Sequence, residues 1–286
     1  MKTTINKFAA VAILVSSLGF VTTTQAQYER GGDYQRNSNR SAQVKSFVAL
    51  TDNNVLVSSN NNQKTVAVKV TGTNENLLAI DYRPANGMLY GITSTKVYTI
   101  NEITGAAKEV STLLLNNQPI ALNVGLESGV DFNPVVDRLR VVGSNDQNFR
   151  INVDTGAVLA DGNLNYAAAD RNAGQNPSVT AAAYTNSFAG GPDPSRTTVL
   201  YGIDYERDVL TIQNPPNAGT LQTVGALNVE FDRVGGFNIS GKNQALAVSN
   251  STIYKIDLRG GRATKLAMLP TAQYIGLAVS IDPRSK

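Results

Sequence analysis

Asp81 and Asp131 stand in matching contexts. Asp81 lies in Ala79-Ile80-Asp81-Tyr82-Arg83-Pro84 and Asp131 in Gly129-Val130-Asp131-Phe132-Asn133-Pro134. Asn238, in Phe237-Asn238-Ile239, is a polar counterpart further along. Arg83 and Asn133 follow the two aspartates by two residues, which keeps them on the same face of an extended strand. Paired carboxylates with such neighbours suit two kinds of chemistry. They can form an oxygen site for a hard cation such as Ca²⁺, or a pair for acid–base work. They suit structure equally well. A buried carboxylate must accept backbone N–H bonds or pair with a cation, for which Arg138 and Arg140 are candidates. The structural reading takes precedence, because structural ion pairs produce the same constellation.

Other chemistry is excluded by composition. The chain has no His and no Cys. That removes Ser-His-Asp and Cys-His catalysis and ordinary Zn or Cu sites. It has no Trp, so a sugar ring would have to stack on one of its 11 Tyr, many of which sit at strand positions that read as core. A second oxygen-rich stretch is Asp161 to Ser178, with Asp161, Asn163, Asn165, Asp170, Asn172 and Asn176. It lacks the spacing of an EF-hand loop, and Asn, Asp and Gly are also plain turn formers.

The elements that would position these residues repeat. Between Leu77 and Val110 there are four short β-type runs: Leu78–Tyr82, Met88–Ile92, Val97–Ile100 and Ala107–Val110. Asn86-Gly87 marks a hairpin between the first two, and Asn101 to Gly105 a turn between the last two. Gly129 to Leu164, Ala181 to Val224 and Gly235 to Leu269 restate the unit. With Asp81, Asp131, Ala183, Asn238 and Ala278 equivalent, the spacings are 50, 52, 55 and 40 residues. Four strands per unit at this period predict a β-propeller. Phe47–Thr51, Val55–Ser58 and Thr65–Val70 supply only the outer three strands of a unit. Ile275–Val279 supplies only an innermost one. Pairing the two ends closes the ring and removes an exposed edge. The expected fold is therefore all-β, a five-bladed propeller over 45–286. An inserted stretch, Asn186 to Thr197, lengthens one hairpin and is a place where binding residues collect.

The first 26 residues read as a signal peptide. Lys2 and Lys7 precede an apolar run from Phe8 to Val21, and Thr24-Gln25-Ala26 offers a cleavage site. The run is short for a span, which needs about 20 apolar residues. Residues 27–44 are polar and predict a flexible arm. Losing two lysines and no acid takes the net charge from +3 to +1, which does not mark a nucleic-acid binder.

Several segments resemble the bacterial exported family called domain of unknown function 4394, over about residues 45–283. They are Leu78–Pro84 with Leu89-Tyr90-Gly91, Val130–Pro134 with Asp137–Val142, Tyr166–Asp170 through Asn176-Pro177, Ala182–Asn186, Leu200–Asp204 and Gln213–Asn217. The resemblance implies an exported propeller-like protein and no particular activity. The sequence reading is a monomeric scaffold in the periplasm or outside the cell, without membrane insertion after cleavage. Its partner would be a small molecule, a glycan or an envelope or matrix protein. The site candidates are Asp81, Arg83, Asp131, Asn133 and Asn238. The alternative is a His-independent hydrolase or lyase using the channel carboxylates, with Ca²⁺ as the conceivable cofactor. A structural role in the matrix or envelope is a third reading.

Overall fold

The computed structural model describes residues 46–59 and 65–283; the expected signal peptide (1–26) and polar arm (27–44) lie outside the described residues. Each repeat folds into an antiparallel sheet whose strands run from the axis outward. Blade 2 has Ala79–Tyr82, Leu89–Ile92, Lys96–Ile100 and Ala107–Thr112. Blade 3 has Ser128–Asn133, Arg138–Gly143, Asn148–Ile151 and Val158–Ala160. Blade 4 runs from Val179–Tyr184 through Leu200–Asp204 and Val209–Gln213 to Thr220–Ala226. Blade 5 runs from Gly235–Ile239 through Ala245–Ser249 and Thr252–Ile256 to Ala263–Met268. The expected closure is present. In blade 1, Tyr274–Val279 pairs with Phe47–Thr51, with Ala278 opposite Val48, and Val55–Ser59 and Thr65–Lys69 lie outside them. Each innermost strand packs on the next around a closed ring. Among the described residues no helix is long and apolar enough to cross a membrane.

Burial follows position in the blade. Every residue of Tyr274–Val279 and of Phe47–Thr51 is buried, whereas none of Thr65–Lys69 is. Inner strands are covered on both faces by neighbouring blades, so they read as unbroken apolar runs rather than as alternation. The Asn101 turn forms as expected. Its side chain accepts the N–H groups of Ile103 and Thr104, and Gly105 takes φ 73°. That glycine also seats the turn against the next blade, because a Cβ there would lie 2.0 Å from the Lys69 carbonyl oxygen. The Asn86-Gly87 hairpin is wider than a two-residue turn. Gly87 alone is left-handed, its N–H donating to Arg83 O, while the Asn86 side chain accepts from Met88 N–H.

Two features were not expected. The connection after blade 3 adds a fifth strand to blade 4, Asn165–Tyr166, parallel to Thr220–Leu221. The insertion crosses the mouth of the ring. Ala189 N–H donates to Asp282 O, Gly190 N–H to Pro84 O and Asp193 N–H to Val135 O, and Asn186 N–H donates to Asn243 Oδ1. A loop of blade 4 is thereby tied to the other four blades.

The closing strand touches blade 5, blade 2 and its own partner Phe47–Thr51. A chain ending at Gln273 is therefore expected to lose cooperative thermal unfolding. An unchanged melt, followed by circular dichroism, would refute the closure.

Candidate functional site

The five equivalent positions form a layer on the propeller axis. Asp81, Asp131 and Asn238 are buried and meet there, with Ala183 and Ala278 completing the layer. The Asn238 amide nitrogen reaches across the axis from blade 5, donating to Asp81 Oδ1 at 2.8 Å and to Asp131 Oδ2 at 3.1 Å. The remaining oxygens bond to the next blade. Phe132 N–H donates to Asp81 Oδ2 at 2.8 Å, and Tyr184 N–H donates to Asp131 Oδ1 at 3.2 Å. All four carboxylate oxygens thus have a donor, and each aspartate staples its blade to the following one. Alanine at positions 183 and 278 leaves the space that these side chains fill.

Below this layer, two residues earlier in each strand, stand Ala79, Gly129, Ala181, Gly236 and Gly276. A Cβ on Gly129 would lie 2.4 Å from Ala182 N, and one on Gly236 2.4 Å from Leu277 N. The strands therefore touch backbone to backbone, leaving an axial cavity of only about 10 Å³. A single water needs roughly 10–15 Å³. Above the layer, the insertion covers the mouth. The carboxylate pair is sealed from both ends.

Arg83 and Asn133 do not join it. Arg83 turns outward between blades 2 and 3. Its Nε and Nη2 donate to the two oxygens of Asp137 at 2.9 and 2.6 Å, and Nη1 and Nη2 to those of Asp154 at 2.7 Å each. The guanidinium also packs over the Tyr90 ring, 5.6 Å from its centre. These bonds, to Asp137 first, hold Arg83 even more firmly protonated than usual. Asn133 Oδ1 accepts Val135 N–H and shapes its own turn. Arg140 and Arg138 are not partners of the axial carboxylates either. Arg140 joins blade 3 to blade 4 through Asp161, Asn148, Asn217 and the Tyr184 hydroxyl. Arg138 donates to the carbonyls of Val136 and Asp137. In the Asp161–Ser178 stretch, Asp161 is held by Arg140 and Arg150, and Asp170 accepts from Thr223 and Asn172.

A groove of about 820 Å³ lies elsewhere, between blades 4 and 5 beside the insertion. Asn186, Val199 and Tyr201 line one side; Lys255, Leu258 and Arg259 line the other. Sequence reasoning marked the insertion but none of these positions as a site. The turn that carries Leu258 and Arg259 belongs to the next blade, and only the closed ring brings the two together.

Two predictions follow from the axial layer and its clamp. Burial pushes the Asp81 carboxyl up from 3.8 to about 7, and burial together with the Asp81 charge raises Asp131 well above its ordinary value. The unfolded chain releases these protons at ordinary carboxylate values, so folding binds protons. The stability they contribute is full below about pH 4 and is lost as pH rises through the raised folded-state values, about 7 for Asp81. With no His or Cys, few other side chains titrate between about pH 5 and 9. Melting temperature should therefore fall across that window, as stability drops by up to ~1.4 kcal/mol per pH unit for each proton bound. Asp131→Asn should flatten the slope whatever its effect on absolute stability; a slope unchanged in that variant would refute the pair as its source. Separately, Arg83→Met leaves the half-buried Asp137 without its ion-pair partner. Urea unfolding should show a loss of roughly 3 kcal/mol, the range for one partner removed from a buried ion pair.

Among solved structures, one similar fold is a structural-genomics protein of unknown function from Bacteroides thetaiotaomicron. It is 15% identical with a TM-score of 0.44, over 85% of this chain and 66% of that one, so the chain spans just under two thirds of its length. A structure from work on the de novo evolutionary emergence of a symmetrical protein is 13% identical, with a TM-score of 0.49, over 84% of this chain and 100% of that one. A catalytically inactive virginiamycin B lyase from Staphylococcus aureus with quinupristin is 14% identical, with a TM-score of 0.41, over 83% of this chain and 75% of that one. All three similarities are too distant to bear on the site. No curated protein matches the chain. The model of one family, Domain of unknown function (DUF4394), matches residues 54–278. That span runs from the blade closed by the two chain ends through the whole axial layer, and the chain belongs to the DUF4394 family.

Proposed function

We propose that the protein is an exported, non-enzymatic binding scaffold whose ligand seats in the groove between blades 4 and 5. The observation that carries this reading is the state of the axis. Its carboxylates are fully bonded and buried, and the axial cavity below them holds only about 10 Å³. Their residue types suit catalysis, but acid–base work needs a substrate within hydrogen-bond reach. A cation would have to displace the Asn238 amide and two backbone N–H groups. The groove, in contrast, has the volume of ordinary ligand sites, roughly 300–1,000 Å³. It sits beside the longest loop of the face, on a rigid frame. Export rests on the basic start and apolar run of the first 26 residues.

The alternative is a hydrolase or lyase at Asp81 and Asp131. It draws on their raised proton affinities, a common mark of acid–base sites. It requires the insertion to lift off four blades. The two readings separate by mutation. Thr264 is exposed and lines the groove, so Thr264→Trp fills it without touching the core. Protein isolated from its own host and examined intact by native mass spectrometry should carry a retained ligand mass. That mass should be absent from Thr264→Trp and present in Asp131→Asn. The opposite pattern would move the site to the axis.

A further inference from the structure

We infer that the groove recognises an acidic saccharide, one whose sugar rings carry carboxylates. This deepens the scaffold reading and rests on it.

The first observation is charge. Lys255 and Arg259 line the groove, both exposed, and neither forms an ion pair with a described residue. Asp257 lines it too, but one of its oxygens already accepts the Arg259 N–H at 3.1 Å. Two cations against one carboxylate leave a positive surplus. A ligand seated here meets fixed positive charge at one wall.

The second observation is the opposite wall. Val199 is 40% exposed, and Tyr201 is half-buried beside it. The Tyr201 hydroxyl makes no hydrogen bond to another described residue, while burial pushes its acidity weaker, so it stays a neutral donor. Leu258 is half-buried across from them. A flat apolar face with a polar tip suits the C–H face and hydroxyls of a sugar ring. The Thr264 hydroxyl, exposed on the blade-5 side, is a further polar contact.

The third observation decides between a saccharide and an acidic peptide. One way an extended peptide gains affinity is by adding a strand to a free edge. The strands that carry Tyr201 and Lys255 offer none. Tyr201 is paired on both sides, with Ala183 and Ile212, and Lys255 is paired with Leu246 and Thr264. Recognition at these two strands comes from side chains, which favours stiff rings over a flexible chain that loses entropy on ordering.

The test uses calorimetric titration of the full chain with three probes: a galacturonic acid tetramer, an uncharged galactose tetramer and a hexamer of aspartate. The uronate tetramer should bind, more weakly as salt rises. The neutral tetramer and the peptide should each bind at least about tenfold more weakly, the worth of one charge-assisted contact. The double variant Lys255→Gln, Arg259→Gln should lose the uronate preference by a similar factor while melting like the parent, since both side chains are exposed. Equal binding of the neutral tetramer would overturn the charge reading, and equal binding of the peptide the saccharide reading. Failure of all three probes, with a retained mass still blocked by Thr264→Trp, would overturn this inference and leave the scaffold reading standing. Uronate binding unchanged in Thr264→Trp would place it outside the groove and overturn both.

Discussion

Five blades closed into a ring leave an axis too narrow for ordinary side chains. The innermost strands approach so closely that two of the five positions in the lower layer cannot accept a Cβ, and the other three are Ala or Gly. One layer higher the ring widens enough for two aspartates and one asparagine, provided the other two positions are alanine. The whole arrangement depends on this taper. Backbone contact seals the lower axis, and a polar knot fills the middle. The insertion then only has to cover the mouth.

The knot works against itself electrostatically. Two carboxylates on adjacent blades are taken out of water, and that burial raises the proton affinity of both, with the Asp81 charge adding to it at Asp131. Against that stand two backbone N–H donors and an amide that serves both. Each bond crosses a blade boundary, so the polar groups specify how blades 2, 3, 4 and 5 are set around the axis, which apolar packing alone leaves loose. Arg83 and Arg140 repeat the tactic further out. Each is a buried guanidinium neutralised by carboxylates and bonded across a blade boundary, Arg83 to Asp137 and Asp154 of blade 3 and Arg140 to Asn217 of blade 4. Beside Arg83 the Asp154 carboxyl is held below its ordinary value; on the axis, where no cation stands, burial raises both carboxyls instead.

The repeat made most of this legible. Period, strand count and the complementary ends are local patterns, and they specify a closed five-bladed ring. The equivalence of Asp81, Asp131 and Asn238 was also readable, because register in a sheet puts matching motif positions at matching depths. What Arg83 does was not. Its place in the strand points it toward the axis, but Asp137 and Asp154 lie 54 and 71 residues away, and no local rule links them. The seal could have been read from the small residues at 79, 129, 181, 236 and 276, since steps of two along each strand fall on one face. The groove could not. Tyr201 carries the same Leu-Tyr-Gly-Ile motif as Tyr90, but Tyr90 is buried beneath Arg83 and Phe132 while Tyr201 is only half-buried.

The insertion connects these two halves of the molecule. Its tip is bonded to residues just past the innermost strands of blades 1, 2 and 3, and both its stems, at Asn186 and Val199, border the groove. Asn186 is fixed twice more, by its N–H to Asn243 and by its side chain to Thr197 O. A segment held at its tip and at its base gives up little further freedom when a ligand lies against it, and ordering cost is a principal drain on affinity. The loop that closes the axis therefore also stiffens the wall of the groove. Sealing the centre of the ring and offering a firm surface at its rim are the work of one stretch of chain.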